Sequence, residues 1–183
     1  MIFNQTGSGG GSSGNPIIYD EMYGTTLYPT SIIYDFEGKD IPSNYFDIAN
    51  GGYYAEHSRF KFVEKVLIKC NKINQYALYN EFKYMTIYQN ISPKIKIKAT
   101  EIADQAFNEL DKNDSVYKFK IWLSKDITTI SGSPFTDTNN LCAQFYCEAA
   151  SQPSGWSSTW NTYQTYNTIP VTWGVTEAAF DAM

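Results

Sequence analysis

At 183 residues, with 43% hydrophobic and 16% aromatic side chains, the chain is long enough to bury one core and too apolar for global disorder. A formal net charge of −5 argues against general nucleic-acid binding, which needs a basic footprint. No stretch approaches the roughly 18 uninterrupted apolar residues of a membrane helix and no basic-then-apolar signal peptide opens the chain, so no membrane insertion and a cytosolic origin are expected.

The charge is unevenly spread. All 14 basic residues lie between Lys39 and Lys125, while acids dominate residues 1–38 and 126–183. Such segregation could pair the acidic ends with the basic middle, within one molecule or between copies, or simply follow from which segments are polar loops. The three cysteines, Cys70, Cys142 and Cys147, read as reduced. In "CAQFYC" an extended strand would put its two thiols on opposite faces about 16 Å apart.

In chain order, residues 1–15 read as a Gly/Ser-rich arm. "MIFNQTGSGGGSSGNP" sets an apolar tip, Ile2 and Phe3, on a run that supplies no core and loses much entropy on ordering. The run also matches a linker scar, although no affinity tag precedes it. As a coil, 14 residues reach about 20 Å, and about 45 Å when pulled straight, enough to touch a neighbouring subunit. Residues 16–183 then read as a single β-rich domain. "PIIYDEMYGTTLYPTSIIYDFEG" gives short strands punctuated by Gly24, Pro29 and Gly38, and "NGGYY" a turn. "RFKFVEKVLIKC" predicts a long strand with a bulge or a change of face, and "YALYNEFKYMTIY" a strand.

"KIKIK", Lys94–Lys98, is the cleanest alternation and predicts a half-buried strand, Ile95 and Ile97 inward and three lysines outward. In "TEIADQAFNELDKN" the spacing of Ile102, Ala103, Ala106, Phe107 and Leu110 fits a helix over about residues 100–112, with Thr100 as cap and Glu101 and Asp104 near its N-terminus. "VYKFKIWL" returns to alternation. From about residue 126 the chain turns polar and aromatic-rich, with a strand in "LCAQFYCEAA" and one helical turn in "TEAAFDAM" that needs a docking surface. No repeat of fixed period is evident. The fold these elements predict is mainly β: an antiparallel β-sandwich or barrel with one packed α-helix and a flexible N-terminal arm.

No catalytic constellation stands out. His57 is the sole histidine, so a histidine metal set cannot form, and no nucleophile elbow, phosphate loop or dinucleotide fingerprint occurs. "DKNDS" lacks the glycine and glutamate of a calcium loop. The glycosylation triplets at Asn4, Asn90 and Asn113 carry little weight without secretion. Asp35 and Glu37 would share a strand face as the paired carboxylates of a glycosidase, and a turn before Gly38 accounts for them as well. No catalytic, metal or cofactor residue is therefore assigned, and no cofactor is expected. Trp156, Trp160, Tyr163, Tyr166 and Trp173 are the residues most open to function: they suit a core, a protein interface, or stacking on sugar rings.

"MIFNQTGSGGGSSGNP" and "SGWSSTWNTYQTYNT" resemble, in texture, the Gly/Ser-rich starts and Tyr/Thr/Asn-rich outer regions of virion structural proteins of tailed bacteriophages infecting AT-rich, low-GC hosts. The resemblance implies a non-enzymatic tail, baseplate, connector or capsid-decoration protein, made in the host cytoplasm and located in the virion. It implies self-assembly into a homo-oligomeric, multi-copy particle with other virion proteins, and no direct contact with nucleic acid. Ile2 and Phe3 would then anchor the arm on a neighbouring subunit. The alternative is a carbohydrate- or receptor-binding β-sandwich whose Trp/Tyr-rich C-terminal loops face a host surface glycan.

Overall fold

The computed structural model describes residues 17–23, 28–45, 63–79, 82, 92–108, 119–136, 143–164 and 167–183. Ile2, Phe3, His57, Cys142, Tyr166, the asparagines of the three glycosylation triplets, the "NGGYY" turn and residues 109–112 of the expected helix lie outside them.

The described chain winds as a solenoid of stacked coils. Its main sheet holds seven strands in the order β1 (Ile17–Tyr23), β2 (Tyr28–Asp35), β3 (Lys65–Lys69), β5 (Lys94–Lys98), β7 (Phe119–Leu123), β9 (Ala143–Cys147) and β12 (Val171–Trp173). Six run parallel, and β1 alone is antiparallel, to β2. The second side is a parallel three-stranded sheet of two-residue strands, β4 (Lys72–Ile73), β6 (Glu101–Ile102) and β8 (Thr129–Ile130). Bridges from Ile41 to Ile73 and from Ile130 to Trp156 extend it at both ends. Turn residues close the third side: Leu78 N–H donates to Ala106 O at 3.0 Å, and Phe107 N–H to Pro134 O at 2.8 Å. The antiparallel hairpin β10 (Thr162–Gln164) and β11 (Asn167–Thr168) precedes β12.

The antiparallel sandwich or barrel is thus overturned: the crossovers β3–β5, β5–β7 and β7–β9 each carry one of the two-residue strands of the second sheet, followed by a turn in the described residues. The strands alternate, as in β5 and β9, because only one face of the sheet meets the core. Alternation ordinarily marks a half-exposed antiparallel sheet, since parallel sheets are usually covered on both faces. A solenoid is the exception, exposing one face of a parallel sheet. Register makes Ile32, Val66, Ile95, Ile121, Phe145 and Val171 equivalent. They recur at unequal intervals, so a search at fixed period finds nothing.

The expected helix at 100–112 is also overturned over its described part. Residues 101–102 are β6 and residues 104–108 a turn. Gln105 has φ 55, the left-handed region that a right-handed helix cannot include. The position recurs: Asn44 (φ 57), Tyr76 (φ 55) and Gln105 each stand three residues after a stacked isoleucine, Ile41, Ile73 and Ile102. Ile102, Ala106 and Phe107 still point inward, but from a strand and a corner. Thr100 is no cap; its hydroxyl donates to the Asn71 backbone carbonyl at 2.7 Å and side-chain oxygen at 2.8 Å, tying two coils together. Of the strand expected in "YALYNEFKYMTIY", residues 76–79 form a turn; of the rest, only Phe82 is among the described residues.

The core is the lumen of the solenoid. Tyr34, Phe82, Phe107, Phe135, Phe145 and Trp160 form a continuous run of ring contacts along its axis, with centroid separations from 6.4 Å to 4.8 Å. Phe107 and Phe135 stack at 4.9 Å and 17°. Such pairs contribute about 0.5–1.5 kcal/mol each beyond area burial.

Candidate functional site

On the main sheet, residues at alternate positions of β3, β5 and β7 face outward. Lys65, Lys94 and Lys120 share one register row, and Lys69 and Lys98 another, with Lys96 between the rows. Strand spacing of about 4.8 Å crowds these ammonium groups. Burial, and then the neighbouring charge of Lys120, hold the Lys94 pKa below its ordinary value, with Lys65 and Lys96 adding to the effect against Asp181.

The C-terminal helix α1 (Glu177–Asp181) lies across this face. Thr176 caps it, its hydroxyl accepting from Ala179 N–H at 3.2 Å. Lys96 Nζ stands 2.9 Å from Glu177 Oε1 and 3.0 Å from Asp181 Oδ2, and Lys98 Nζ 2.7 Å from Glu177 Oε2. Lys94 Nζ donates to the Asp181 carbonyl at 2.9 Å. Phe180 is fully buried with Trp122 and Val175 and packs against Tyr146 at 5.4 Å. Trp122, outward on β7, donates its indole N–H to the Val175 carbonyl at 2.8 Å. Burial opposes the Lys96 charge, but hydrogen bonds to Glu177 and Asp181 outweigh it and raise the pKa. Hydrogen bonds from Lys98 and Lys96 lower that of Glu177. The acidic end of the chain therefore meets the basic middle of the same chain. Periodicity in "KIKIK" and the acids of "TEAAFDAM" carried both halves of this contact; their juxtaposition depends on the coil count between them.

The aromatics singled out from sequence divide. Trp156 and Trp160 are 5% and 1% exposed and pack edge-to-face at 4.8 Å, with Trp173 against both. Their indole N–H groups donate to the Ile127 carbonyl at 2.9 Å and to Gln152 Oε1 at 3.3 Å. These rings close the C-terminal end of the lumen, so neither buried ring presents a face for a sugar. Tyr163 and Trp173 are half-buried against the same core.

Asp35 and Glu37 are not a carboxylate pair. Asp35 Oδ2 is 2.6 Å from Lys69 Nζ, and Oδ1 accepts from Glu37 N–H at 3.0 Å. These two bonds hold the Asp35 pKa below its ordinary value of 3.8, a poor state for a general acid. Glu37 sits exposed in the turn with φ 52. Burial pushes the thiols of Cys70 and Cys147 up to about 12, which makes them unreactive at neutral pH. Among the described residues no group of three or more His, Cys, Asp or Glu could hold a metal ion, and no helix is long and apolar enough to cross a membrane. No protein-family model matches the chain, and neither the curated proteins nor the solved structures contain a match to it.

Proposed function

We propose that the chain is a non-enzymatic structural subunit of a multi-copy assembly, a bacteriophage virion protein that touches neighbouring subunits through its N-terminal arm. The observation that carries the reading is the architecture: a stack of coils whose main sheet, among the described residues, ends at β1 on one side and β12 on the other. Edge strands present unpaired backbone groups that another chain can pair with, and a solenoid offers long repetitive surfaces rather than a cleft. The other virion proteins are its partners, and the virion its location. The burial of Trp156 and Trp160 weighs against the glycan-binding alternative.

Light scattering of the full chain across a concentration series tests the reading. A multi-copy species that disappears in an Ile2→Asp, Phe3→Asp variant, with thermal stability unchanged, is the expected result. A wild-type chain that stays monomeric at every concentration, and also after mixing with purified virion proteins, contradicts it.

A further inference from the structure

The coils of the solenoid are laced to one another by backbone hydrogen bonds, and the C-terminal segment is not. Among the described residues, no backbone–backbone hydrogen bond joins residues 176–183 to the rest of the chain. Their own bonds are internal: Phe180 N–H donates to Thr176 O at 3.0 Å, and Ala182 N–H to Ala178 O at 3.2 Å. Pairing with the sheet stops just before, where Gly174 N–H and Val175 N–H donate to Ala149 O and Cys147 O, each at 2.9 Å. We propose that residues 176–183 are a latch, a strap hinged after Val175 that lifts off the sheet as a unit while the solenoid stays folded, and that acid loosens its grip.

What the strap covers is an aromatic pair. Lys96, Trp122, Tyr146 and Thr172 form one register row across β5, β7, β9 and β12. Trp122 is an outward position of the sheet, yet it is 1% exposed, because Phe180 and Val175 close over it. The Phe180 ring also lies 5.4 Å from that of Tyr146. Phe180 is the sole buried residue of a five-residue helix, and so short a helix does not persist off its surface. Lifting the strap therefore bares Trp122 and Tyr146 together. Val175 stays behind, held by its own N–H and by the Trp122 indole, which donates to its carbonyl at 2.8 Å. The latch stands apart from the assembly reading, since a monomer carries the same strap.

The polar hold is concentrated on one strand. Four contacts tie the strap to β5: Lys96 Nζ to Glu177 Oε1 and to Asp181 Oδ2, Lys98 Nζ to Glu177 Oε2, and Lys94 Nζ to the Asp181 carbonyl. Three of these four need an ionised carboxylate. Single half-exposed ion pairs contribute little, but these share Lys96 and Glu177 and act as a network. The other charges at hand are Lys120 of β7 and Lys65 of β3, both felt by Lys94. Glu148, just past β9, is turned to Lys125, and β12 carries no charged residue. Lysines keep their charge in acid, so the acid response belongs to the carboxylates. Hydrogen bonds from Lys98 and then Lys96 hold the Glu177 pKa below its ordinary 4.5. Its contribution to closure is full above 4.5 and is lost as pH falls through the lowered value. Burial, first of all, disfavours the Lys94 charge, an effect that does not change between neutral pH and acid.

Amide exchange of the full chain, read by NMR with each rate divided by its intrinsic value at that pH, tests the latch. Protection of the Phe180 and Ala182 amides should be about a hundredfold or more below that of Phe107 and Ser131, whose N–H groups donate from coil to coil, because the strap opens without the solenoid. In a Glu177→Gln, Asp181→Asn variant, strap protection should be about threefold or more below wild type at pH 7 and equal to wild type at pH 3. Phe180→Ala, read at Ala182, should lower protection at pH 7 and move the Trp122 indole resonance. Continued protection of Phe107 and Ser131 reports that each variant is folded. Strap amides as well protected as Phe107 and Ser131 in wild type would overturn the latch, since the segment would then open only with the whole fold. A wild-type-to-variant ratio that is the same at pH 7 and pH 3 would overturn its response to acid.

Discussion

Gly155 is held where no side chain fits. A Cβ there would lie 2.2 Å from the Thr128 carbonyl oxygen, a backbone atom whose own residue is fixed by donation from Thr128 N–H to Thr100 O at 2.9 Å. Gly155→Ala should cost about 1–3 kcal/mol through overpacking, measured as a lower denaturant midpoint. Gly38→Ala, with nothing within 4 Å but a φ of 75, should cost about 1 kcal/mol from backbone strain alone; equal losses would mean that the turn at 154–155 is not packed on the Thr128 backbone. Phe135, stacked between Phe107 and Phe145, should cost about 3–5 kcal/mol when cut to alanine. The carboxylates of Asp35 and Glu177 both have depressed folded-state pKa values. Their stabilisation is present above the ordinary values of 3.8 and 4.5 and is lost as pH falls through the lowered ones. Lys96, raised above 10.5, adds stability that is full below that value and lost as pH rises through its folded pKa. Thermal midpoints of wild type should therefore fall in acid more steeply than those of Asp35→Asn, and parallel curves would refute the Asp35 contribution. At this scale the sequence was informative about which residues are inward: Ile95, Ile97, Phe119, Ile121 and Leu123 all are. It did not reveal that Gly155 is sterically required, because that depends on a carbonyl from a different coil.

Among elements, β5 is the one most fully written in the chain. "KIKIK" alternates, Ile95 and Ile97 are 1% and 0% exposed, and the lysines face out. β7 and β9 follow the same logic, and α1 forms in "TEAAFDAM" on a docking surface, as its shortness demands. Strand polarity was not legible, since alternation is shared by an antiparallel sheet and a one-face-exposed solenoid. Nor was the corner at 104–108: Ile102, Ala106 and Phe107 have helix-like spacing, yet the left-handed Gln105 sets them on two sides of a coil. Ile97→Asp should abolish folding by placing a charge in the lumen, at a cost of several kcal/mol. Lys96→Glu should leave the sheet intact while releasing α1, seen as faster amide exchange at residues 177–182 and a shift in Trp122 fluorescence. Comparable loss of the whole fold in both variants would contradict the assignment of faces.

As a whole molecule the chain is a one-dimensional stack. Each coil touches its neighbours, so charge segregated along the sequence is brought together by winding and by the return of α1 across the sheet. That pairing, within one chain, is the outcome for Lys96 and Lys98 with Glu177 and Asp181. Among the described residues the main sheet ends at β1 and β12, and the proposed role turns on whether another copy meets the chain. Isotope-mixed cross-linking tests this most directly: equal amounts of ¹⁴N- and ¹⁵N-labelled full-length chain are mixed, treated with an amine-reactive cross-linker, and the products of the N-terminal amine identified by mass spectrometry. An arm that anchors on neighbours predicts mixed-isotope links from Met1 to lysines of another copy. Links confined to one isotope at every concentration would contradict it.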